Sequence, residues 1–285
     1  MALVIKKAAV AGSGAMGCGI AQIFAQAGLE VVLFDVNETQ LAKAKTEINK
    51  NLDFAVSKQK ISQVEADVAM AKITYTTDIA GLKADLVIEA IVELLEPKQQ
   101  LFKQLATINS SETIFATNTS SIPVTRIAKD VLNPERVVGM HFFNPAHLMK
   151  LVEVITGAET LPEVAQTIKD LAMQIGKTPV MCKDSPGFIV NRVARHYYVE
   201  SLKILEENLA TTETIDSLME SAGFKMGPFK LMDFVGNDIN FAVTTSLFNS
   251  FHNEAKFRPS RIQQQKVDAG HLGKKTGKGF YNYGK

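Results

Sequence analysis

The sequence predicts an α/β domain with an inserted helical hairpin, followed by an all-α domain. Apolar extended segments alternate with helical segments up to about residue 183, as in a parallel sheet covered by helices on both faces. A long charged stretch, residues 38–71, interrupts this alternation and indicates two helices. Beyond Lys183-Asp184-Ser185-Pro186-Gly187, where proline and glycine turn the backbone, the pattern is almost wholly helical. We therefore expect domains at residues 1–185 and 186–285.

The first element is a strand that runs into a glycine-rich turn and a helix. Gly12-Ser13-Gly14-Ala15-Met16-Gly17 follows the strand, and Asp35 ends the next apolar run. This G-x-G-x-x-G pattern, with an acidic residue about 20 positions on, is typical of a Rossmann-type dinucleotide-binding unit. Gly12 permits the tight turn, Gly14 leaves room for a pyrophosphate, and Gly17 lets the helix approach the strand. Asp35 would bind ribose hydroxyls, which favours NAD over a 2′-phosphorylated cofactor.

The remaining elements follow from the same patterns. Asn37 with Gln40 predicts a capping box at the start of the hairpin, and Thr160 with Glu163 predicts another before a helix over 164–175. Further strands are predicted at 73–76, 86–90, 113–116, 137–141, 151–155 and 178–182. In the second domain, helices are predicted at about 188–208, 212–222, 228–252 and 260–270. The glycine-rich, aromatic end of the chain is expected to dock on that domain.

Composition excludes several classes of protein. The 31 basic and 30 acidic residues give a net charge of +1, which does not favour a nucleic-acid or acidic-membrane partner. Residues 8–29 carry no charge, but their glycines fit the strand–turn–helix unit better than a membrane span. Cys18 and Cys182 form no disulfide framework, and we expect a cytoplasmic protein without a leader and without a metal site. Cys18 lies in a first helical turn, where a thiol pKa can fall, although a packing role is favoured.

Polar residues at the ends of apolar strands mark a candidate site. Asn118 and His141 follow or end such strands, where open α/β sheets bind ligands. Glu153 interrupts the apolar strand Leu151-Val152-Glu153-Val154, and a buried carboxylate needs a partner. A histidine is the obvious partner, because a carboxylate on one imidazole nitrogen leaves the other to accept a substrate proton.

Taken together, the motifs resemble the L-3-hydroxyacyl-CoA dehydrogenase family, and are most like its stand-alone bacterial 3-hydroxybutyryl-CoA members. The resemblance extends over about residues 4–284. It rests on the glycine-rich turn and on Glu89-Ala90-x-x-Glu93, Asn118-Thr119-Ser120-Ser121, His141-Phe142-Phe143-Asn144-Pro145, Met149-Lys150-Leu151-Val152-Glu153-Val154, Pro186-Gly187-Phe188-x-x-Asn191-Arg192, Met226-Gly227-Pro228-Phe229 and Gly277-x-Gly279-Phe280-Tyr281.

The resemblance implies an NAD-dependent dehydrogenase of short-chain L-3-hydroxyacyl-CoA that forms a homodimer through its helical domain. It implies that His141 is the general base, that Glu153 orients it, and that Ser120 and Asn191 hydrogen-bond the reacting oxygen. The implied cofactor-binding residues are Gly12, Gly14, Met16, Gly17, Asp35, Glu93, Lys98, Asn118, Ser120 and Asn144. The implied substrate-binding residues are Ser120, Asn191 and Lys58, with Lys58 meeting the CoA moiety.

Two departures from the family pattern keep other functions open. Phe54 stands where related enzymes often carry a basic CoA contact, so a free 3-hydroxy acid or sugar acid is an alternative substrate. His147 stands where the family usually has proline, and it adds a titratable group beside the site. A non-catalytic NAD-binding protein is a third possibility, although it predicts loss of the set His141, Glu153, Ser120 and Asn191, which is present.

Overall fold

One sheet of eight strands organises the first part of the chain in the computed structural model, which describes residues 4–284. The chain divides into two units, Met1–Ser185 and Pro186–Lys285. The strands lie within one residue of the predicted segments, because short runs of branched and aromatic residues between polar turns favour strands. They are β1 (Lys7–Ala11), β2 (Glu30–Phe34), β3 (Ile73–Thr76), β4 (Leu86–Glu89), β5 (Ile114–Thr117), β6 (Val137–Phe142), β7 (Leu151–Thr156) and β8 (Thr178–Lys183).

The sheet has the order β3-β2-β1-β4-β5-β6-β7-β8 and is parallel from β3 to β6. The sheet departs from the predicted parallel arrangement at β7, which pairs antiparallel with β6. The reason is the connection: no α-helix lies between β6 and β7, so the chain doubles back instead of crossing over. Strand β8 follows a crossover helix and is again parallel to β7.

Helices surround the sheet and build the second unit, which confirms the predicted fold class. In the first unit they are α1 (Ala15–Gln26), α2 (Glu38–Ser57), α3 (Gln63–Ala71), α4 (Leu95–Ile108), α5 (Val124–Ala128) and α6 (Pro162–Gln174). In the second they are α7 (Val190–Glu206), α8 (Thr212–Ser221), α9 (Pro228–Val235), α10 (Asn237–Ser250) and α11 (Arg261–Asp268). No helix in this described part of the chain is long and apolar enough to cross a membrane.

Capping explains where the inserted hairpin, α2 and α3, begins. Asn37 caps α2 as predicted, with its side chain accepting from Thr39 N and Gln40 N. The reciprocal half of the predicted box is absent, since Asn37 N donates to Asp35 Oδ1 instead of to Gln40. A complete capping box is found at Ser62, which exchanges hydrogen bonds with Glu65 at the start of α3.

The capping box predicted at Thr160 is wrong. Helix α6 is instead capped by Leu161, with Pro162 in its first turn. The Thr160 hydroxyl accepts from Gly157 N and donates to Val137 O, so it holds the loop before the helix. Proline supplies the fixed φ that a first helical turn needs, and no side-chain cap is required there.

A continuous apolar core fixes the sheet beneath its polar strand ends. Val10, Leu33 and Ile88 on β1, β2 and β4 are fully buried, and they belong to one cluster that includes α1 and α2. Central parallel strands are covered on both faces, which is why they are nearly continuous runs of apolar residues. The strand ends that follow these runs are therefore held on a rigid platform.

The second unit differs from its prediction at one helix. Residues 228–252 form two helices, α9 and α10, because Gly236 adopts a φ of 107° that ends the first of them. The aromatic chain end docks on this unit as predicted. The buried carboxylate of Asp233 accepts from Phe280 N, Tyr281 N and the Tyr283 hydroxyl.

Candidate active site

The glycine-rich turn between β1 and α1 has the shape that a dinucleotide requires. Gly12 has a φ of 103°, and a Cβ there would lie 2.6 Å from Ala90 O. A Cβ on Gly17 would collide with Gly12 O, whereas the Cβ direction of Gly14 is open space. Among residues 4–284 no side chain caps the N-terminus of α1, so its amide groups can meet a phosphate. The residues present therefore fit an NAD pyrophosphate.

Asp35 lies directly after β2, beside this turn. Its Oδ2 accepts from Ser13 N at 2.9 Å and from Ser13 Oγ at 2.8 Å, and its Oδ1 accepts from Asn37 N at 3.0 Å. These bonds fix a partly exposed carboxylate at the end of the strand. A carboxylate has about four acceptor positions, so the fixed group keeps capacity for a ribose hydroxyl.

His141 and Glu153 form a buried pair across β6 and β7. They stand directly opposite each other in the antiparallel register, and His141 Nδ1 lies 2.8 Å from Glu153 Oε2. The side chains are 6% and 1% exposed, so the contact is shielded from water. This is the partnership predicted from the carboxylate that interrupts β7. The bond fixes the imidazole orientation and assigns Nδ1 to the carboxylate.

Two asparagines lie near the end of β6. Asn118, after β5, accepts from Phe142 N at 2.9 Å through its Oδ1, so it holds the end of β6 next to His141. Asn144 lines a cavity of about 820 Å³ together with Gly14, at the N-terminus of α1, and His147. This cavity also touches α2, which makes it large enough and polar enough for part of a nucleotide-sized ligand.

Ser120 lies in a loop that donates several hydrogen bonds to the carboxylate of Glu93. Glu93 Oε1 accepts from Thr119 Oγ1 at 2.6 Å, from Ser120 N at 2.8 Å and from Ser121 N at 3.2 Å. Burial alone would raise the pKa of Glu93. The Lys98 ammonium and the hydrogen bonds from Thr119 and Ser120 outweigh burial and lower that pKa. Glu93 is therefore a stable anion in this loop.

Lys98 is buried rather than open to a ligand. Its Nζ lies 2.5 Å from Glu89 Oε1 and 3.2 Å from Glu93 Oε2. Glu89 is fully buried, and that burial raises its pKa against the opposing effect of the Lys98 charge. The predicted contact of Lys98 with the cofactor stays a prediction, while the structure shows Lys98 as a counter-ion for two carboxylates.

The remaining predicted site residues lie on other elements. Met16 is in the first turn of α1, half-buried against the core, and Asn191 is in the first turn of α7 in the second unit. Lys58 caps the end of α2, with its ammonium 5.5 Å from the centre of the Phe54 ring. Burial raises the pKa of Cys18 to about 11, which supports the favoured packing role and excludes a lowered thiol pKa.

The sequence did not predict the hydrogen-bonding roles of two buried residues. Glu89 is one of them: it is a buried carboxylate at the end of the apolar strand β4, which is a signal of the same kind as Glu153. Lys177 is nine-tenths buried, and its Nζ donates to Ala146 O at 2.6 Å and to Met149 O at 2.8 Å. It thereby holds the loop after β6. In the range 4–284 no group of three His, Cys, Asp or Glu could bind a metal ion.

Two family models match the two units. The model described as "3-hydroxyacyl-CoA dehydrogenase, NAD binding domain" matches residues 7–185. The model described as "3-hydroxyacyl-CoA dehydrogenase, C-terminal domain" matches residues 187–283. The glycine cradle and the fixed carboxylate of Asp35 lie within the first match, so NAD is the cofactor that this unit binds.

Individual relatives agree with these matches. The chain is 47% identical over 285 residues to a 3-hydroxyadipyl-CoA dehydrogenase from Escherichia coli; the match covers 99% of this chain but only 60% of that protein. It is 42% identical to a probable 3-hydroxybutyryl-CoA dehydrogenase from Deinococcus radiodurans, over 97% of this chain and 100% of the relative. A crystal structure of (S)-3-hydroxybutyryl-CoA dehydrogenase from Ralstonia eutropha superposes with a TM-score of 0.95 at 38% identity, covering 99% of this chain and 100% of that one.

Proposed function

The chain belongs to the 3-hydroxyacyl-CoA dehydrogenase family, and we propose that it oxidises a short-chain L-3-hydroxyacyl-CoA to the 3-oxoacyl-CoA with NAD, and catalyses the reverse reduction. The substrate class follows from the names of the relatives, which act on 3-hydroxybutyryl-CoA or 3-hydroxyadipyl-CoA. The single observation that supports the chemistry best is the buried contact of 2.8 Å between His141 and Glu153.

His141 is the proposed general base. With Nδ1 occupied by Glu153, its Nε2 accepts the proton of the C3 hydroxyl as the C3–H bond breaks. When bound, NAD accepts the hydride that leaves C3. The imidazole becomes a cation in this step, and the adjacent Glu153 carboxylate stabilises that charge where water is excluded. In the reverse direction the imidazolium returns the proton to the ketone oxygen.

Ser120 and Asn191 are the proposed partners of the reacting oxygen. The Ser120 backbone is fixed by its N–H bond to Glu93, and the Ser120 Oγ lies 3.3 Å from the same carboxylate oxygen. A hydroxyl held in this way keeps a defined direction, so it can align the substrate at low entropic cost. The proposed roles of Glu93, Asn118 and Asn144 toward NAD rest on their positions at the strand ends and around the cavity.

The proposed CoA contact is Lys58. It lies on the exposed hairpin, where a flexible ammonium can pair with a phosphate. Phe54, 61% exposed, lies beneath that ammonium and offers a ring surface instead of a second charge. This difference predicts weaker dependence on the CoA phosphates, and it is the observation that keeps a free-acid substrate as the alternative.

The test is NADH oxidation at 340 nm with acetoacetyl-CoA, run beside free acetoacetate and with NADPH in parallel. Rapid oxidation of NADH that requires the CoA thioester is the expected result. Activity on the free acid alone would instead establish the alternative substrate. Binding of NADH without any turnover would indicate a non-catalytic scaffold, and better kcat/KM with NADPH would contradict the role of Asp35.

A homodimer is proposed from the second unit. Several large apolar side chains of this unit are more than half exposed, namely Val193, Leu209, Leu218 and Phe234. Association of two copies would remove such side chains from water. Light scattering after size exclusion should give twice the chain mass of 31.1 kDa; a monomer at micromolar concentration would contradict the proposal.

A further inference from the structure

Glu89 is a fully buried carboxylate that the proposed reaction does not use. It is the last residue of β4, and its two oxygens are both engaged. Oε1 accepts from Lys98 Nζ at 2.5 Å and from Ile91 N at 2.8 Å, and Oε2 accepts from Thr117 Oγ1 at 2.8 Å. Burial of a carboxylate is costly, so a group held by three donors at a strand end indicates a specific task.

Lys98 forms ion pairs with Glu89 and with a second carboxylate, Glu93. Its side chain is 1% exposed, and it lies between Glu89 and Glu93 on the first turn of α4. An ammonium with so little access to water needs a counter-ion close by. Glu89 is the nearer of the two carboxylates, at 2.5 Å against 3.2 Å for Glu93, so Glu89 fixes where the ammonium stands.

Glu93 in turn holds the loop of residues 117–121, which we name the serine loop. The loop directs Thr119 Oγ1 and two successive backbone amides, those of Ser120 and Ser121, at the single oxygen Glu93 Oε1. Glu89 holds the start of the same loop directly through Thr117. One buried carboxylate therefore restrains the serine loop at both ends, once directly and once through Lys98 and Glu93.

We propose that Glu89 is a positioning residue for the oxygen-binding serine loop, acting through Lys98 on Glu93 and directly on Thr117. This inference rests on the proposed function, because Ser120 is the residue that the loop presents. Glu89 itself does not touch the reacting atoms in this proposal. Its contribution is to keep the Ser120 hydroxyl in one orientation, which an enzyme needs for alignment at the ångström level.

Hydrogen exchange of the serine loop tests this without relying on turnover. In Glu89→Gln, the amides of Ser120 and Ser121 should exchange at least about tenfold faster than in the wild type, the effect of weakening a charge-assisted hydrogen bond. Asp85→Asn is the matched control: Asp85 lies just before the other end of β4 and accepts from Lys6 N and Lys7 N. It should leave exchange of the serine loop unchanged.

A double variant covers the case in which Glu89→Gln does not fold. Glu89→Gln with Lys98→Met removes the buried ammonium together with its nearer counter-ion, and the remaining charge, Glu93, has a side chain that is 37% exposed. The double variant should therefore fold and still show fast exchange at Ser120 and Ser121. Wild-type protection in a folded variant, or equal loosening in Asp85→Asn, would overturn the proposal.

If the wild type does not reduce acetoacetyl-CoA while the serine loop loosens as expected, the proposed function fails and the positioning role stands. If the wild type is active, kcat of Glu89→Gln should fall at least about tenfold, in step with the exchange.

Discussion

Replacing Glu153 with glutamine removes one charge from the buried pair and little else. The amide has the size of the carboxylate, and its oxygen can still accept a hydrogen bond from His141 Nδ1. What disappears is the negative charge 2.8 Å from an imidazole that becomes a cation during the proposed reaction. The substitution therefore isolates charge stabilisation from orientation.

The structure sets the expected magnitude. A hydrogen bond to a charged group contributes about 1.5–3 kcal/mol, and low exposure strengthens such a contact. The Glu153 side chain is 1% exposed and that of His141 6%, so the upper part of this range applies. At about 1.4 kcal/mol per factor of ten, kcat of Glu153→Gln should fall roughly 30- to 150-fold.

The assay is acetoacetyl-CoA reduction at saturating NADH, arranged as a double-mutant cycle with His141→Gln. That variant alone should lose about 10²–10⁴ in kcat, the usual contribution of a general base. Because Glu153 acts through His141, the double variant should be no slower than His141→Gln alone. Glu163→Gln, an exposed carboxylate on α6, serves as the surface control.

Two results would refute this reasoning. The first is a kcat for Glu153→Gln within about threefold of the wild type, because the loss of charge stabilisation is expected to exceed that. The second is a double variant whose loss equals the product of the two single losses, because Glu153 would then act independently of the histidine. Unchanged thermal melting in the single variants keeps either result from being attributed to unfolding.

Three further predictions rest on contacts in the structure. Gly12→Ala should weaken NADH binding in a fluorescence titration at least about tenfold, because its Cβ would lie 2.6 Å from the Ala90 carbonyl oxygen. Gly28→Ala is the control: Gly28 also has a positive φ but has open space around it, so NADH binding should not change. The pKa of Glu93 is lowered in the folded protein, so its ionised form stabilises the fold above the ordinary carboxylate pKa of about 4.3. This stabilisation is lost as the pH falls through the folded pKa. The free energy of urea unfolding of Glu93→Gln should therefore be less sensitive to acid than that of the wild type. Lys177→Met should lower the free energy of unfolding by about 1–3 kcal/mol, because two carbonyls lose their donor; an unchanged urea midpoint would contradict this.

Local sequence was sufficient to predict a buried contact where one polar residue interrupts an apolar segment. Glu153 within an apolar strand indicated a buried carboxylate with a partner, and the structure brings it to His141. The glycine-rich turn was also predictable, because all of its residues lie within one short segment. The break at Gly236 had a local signal as well, a glycine inside a helical pattern, but the apolar periodicity continued through it and favoured one long helix.

Contacts between distant elements were not predictable from local patterns. Lys98 follows Glu89 by one short loop, yet the residues that this pair supports lie on the serine loop after a different strand. Only the parallel pairing of β4 with β5 brings Glu89 opposite Thr117. The sequence shows each residue beside an apolar segment, and it does not show which strands become neighbours.

The same limit applies to the contact between His141 and Glu153 and to the direction of β7. Chemistry suggested that His141 and Glu153 meet, but the pairing of β6 and β7 decides whether they can. In the antiparallel register the two residues are direct cross-strand partners, so their side chains point to one face. A shift of one residue would turn the carboxylate to the opposite face and leave it buried without the histidine. The short connection that reverses β7 therefore does more than end the parallel sheet, since it places the carboxylate that the proposed base requires.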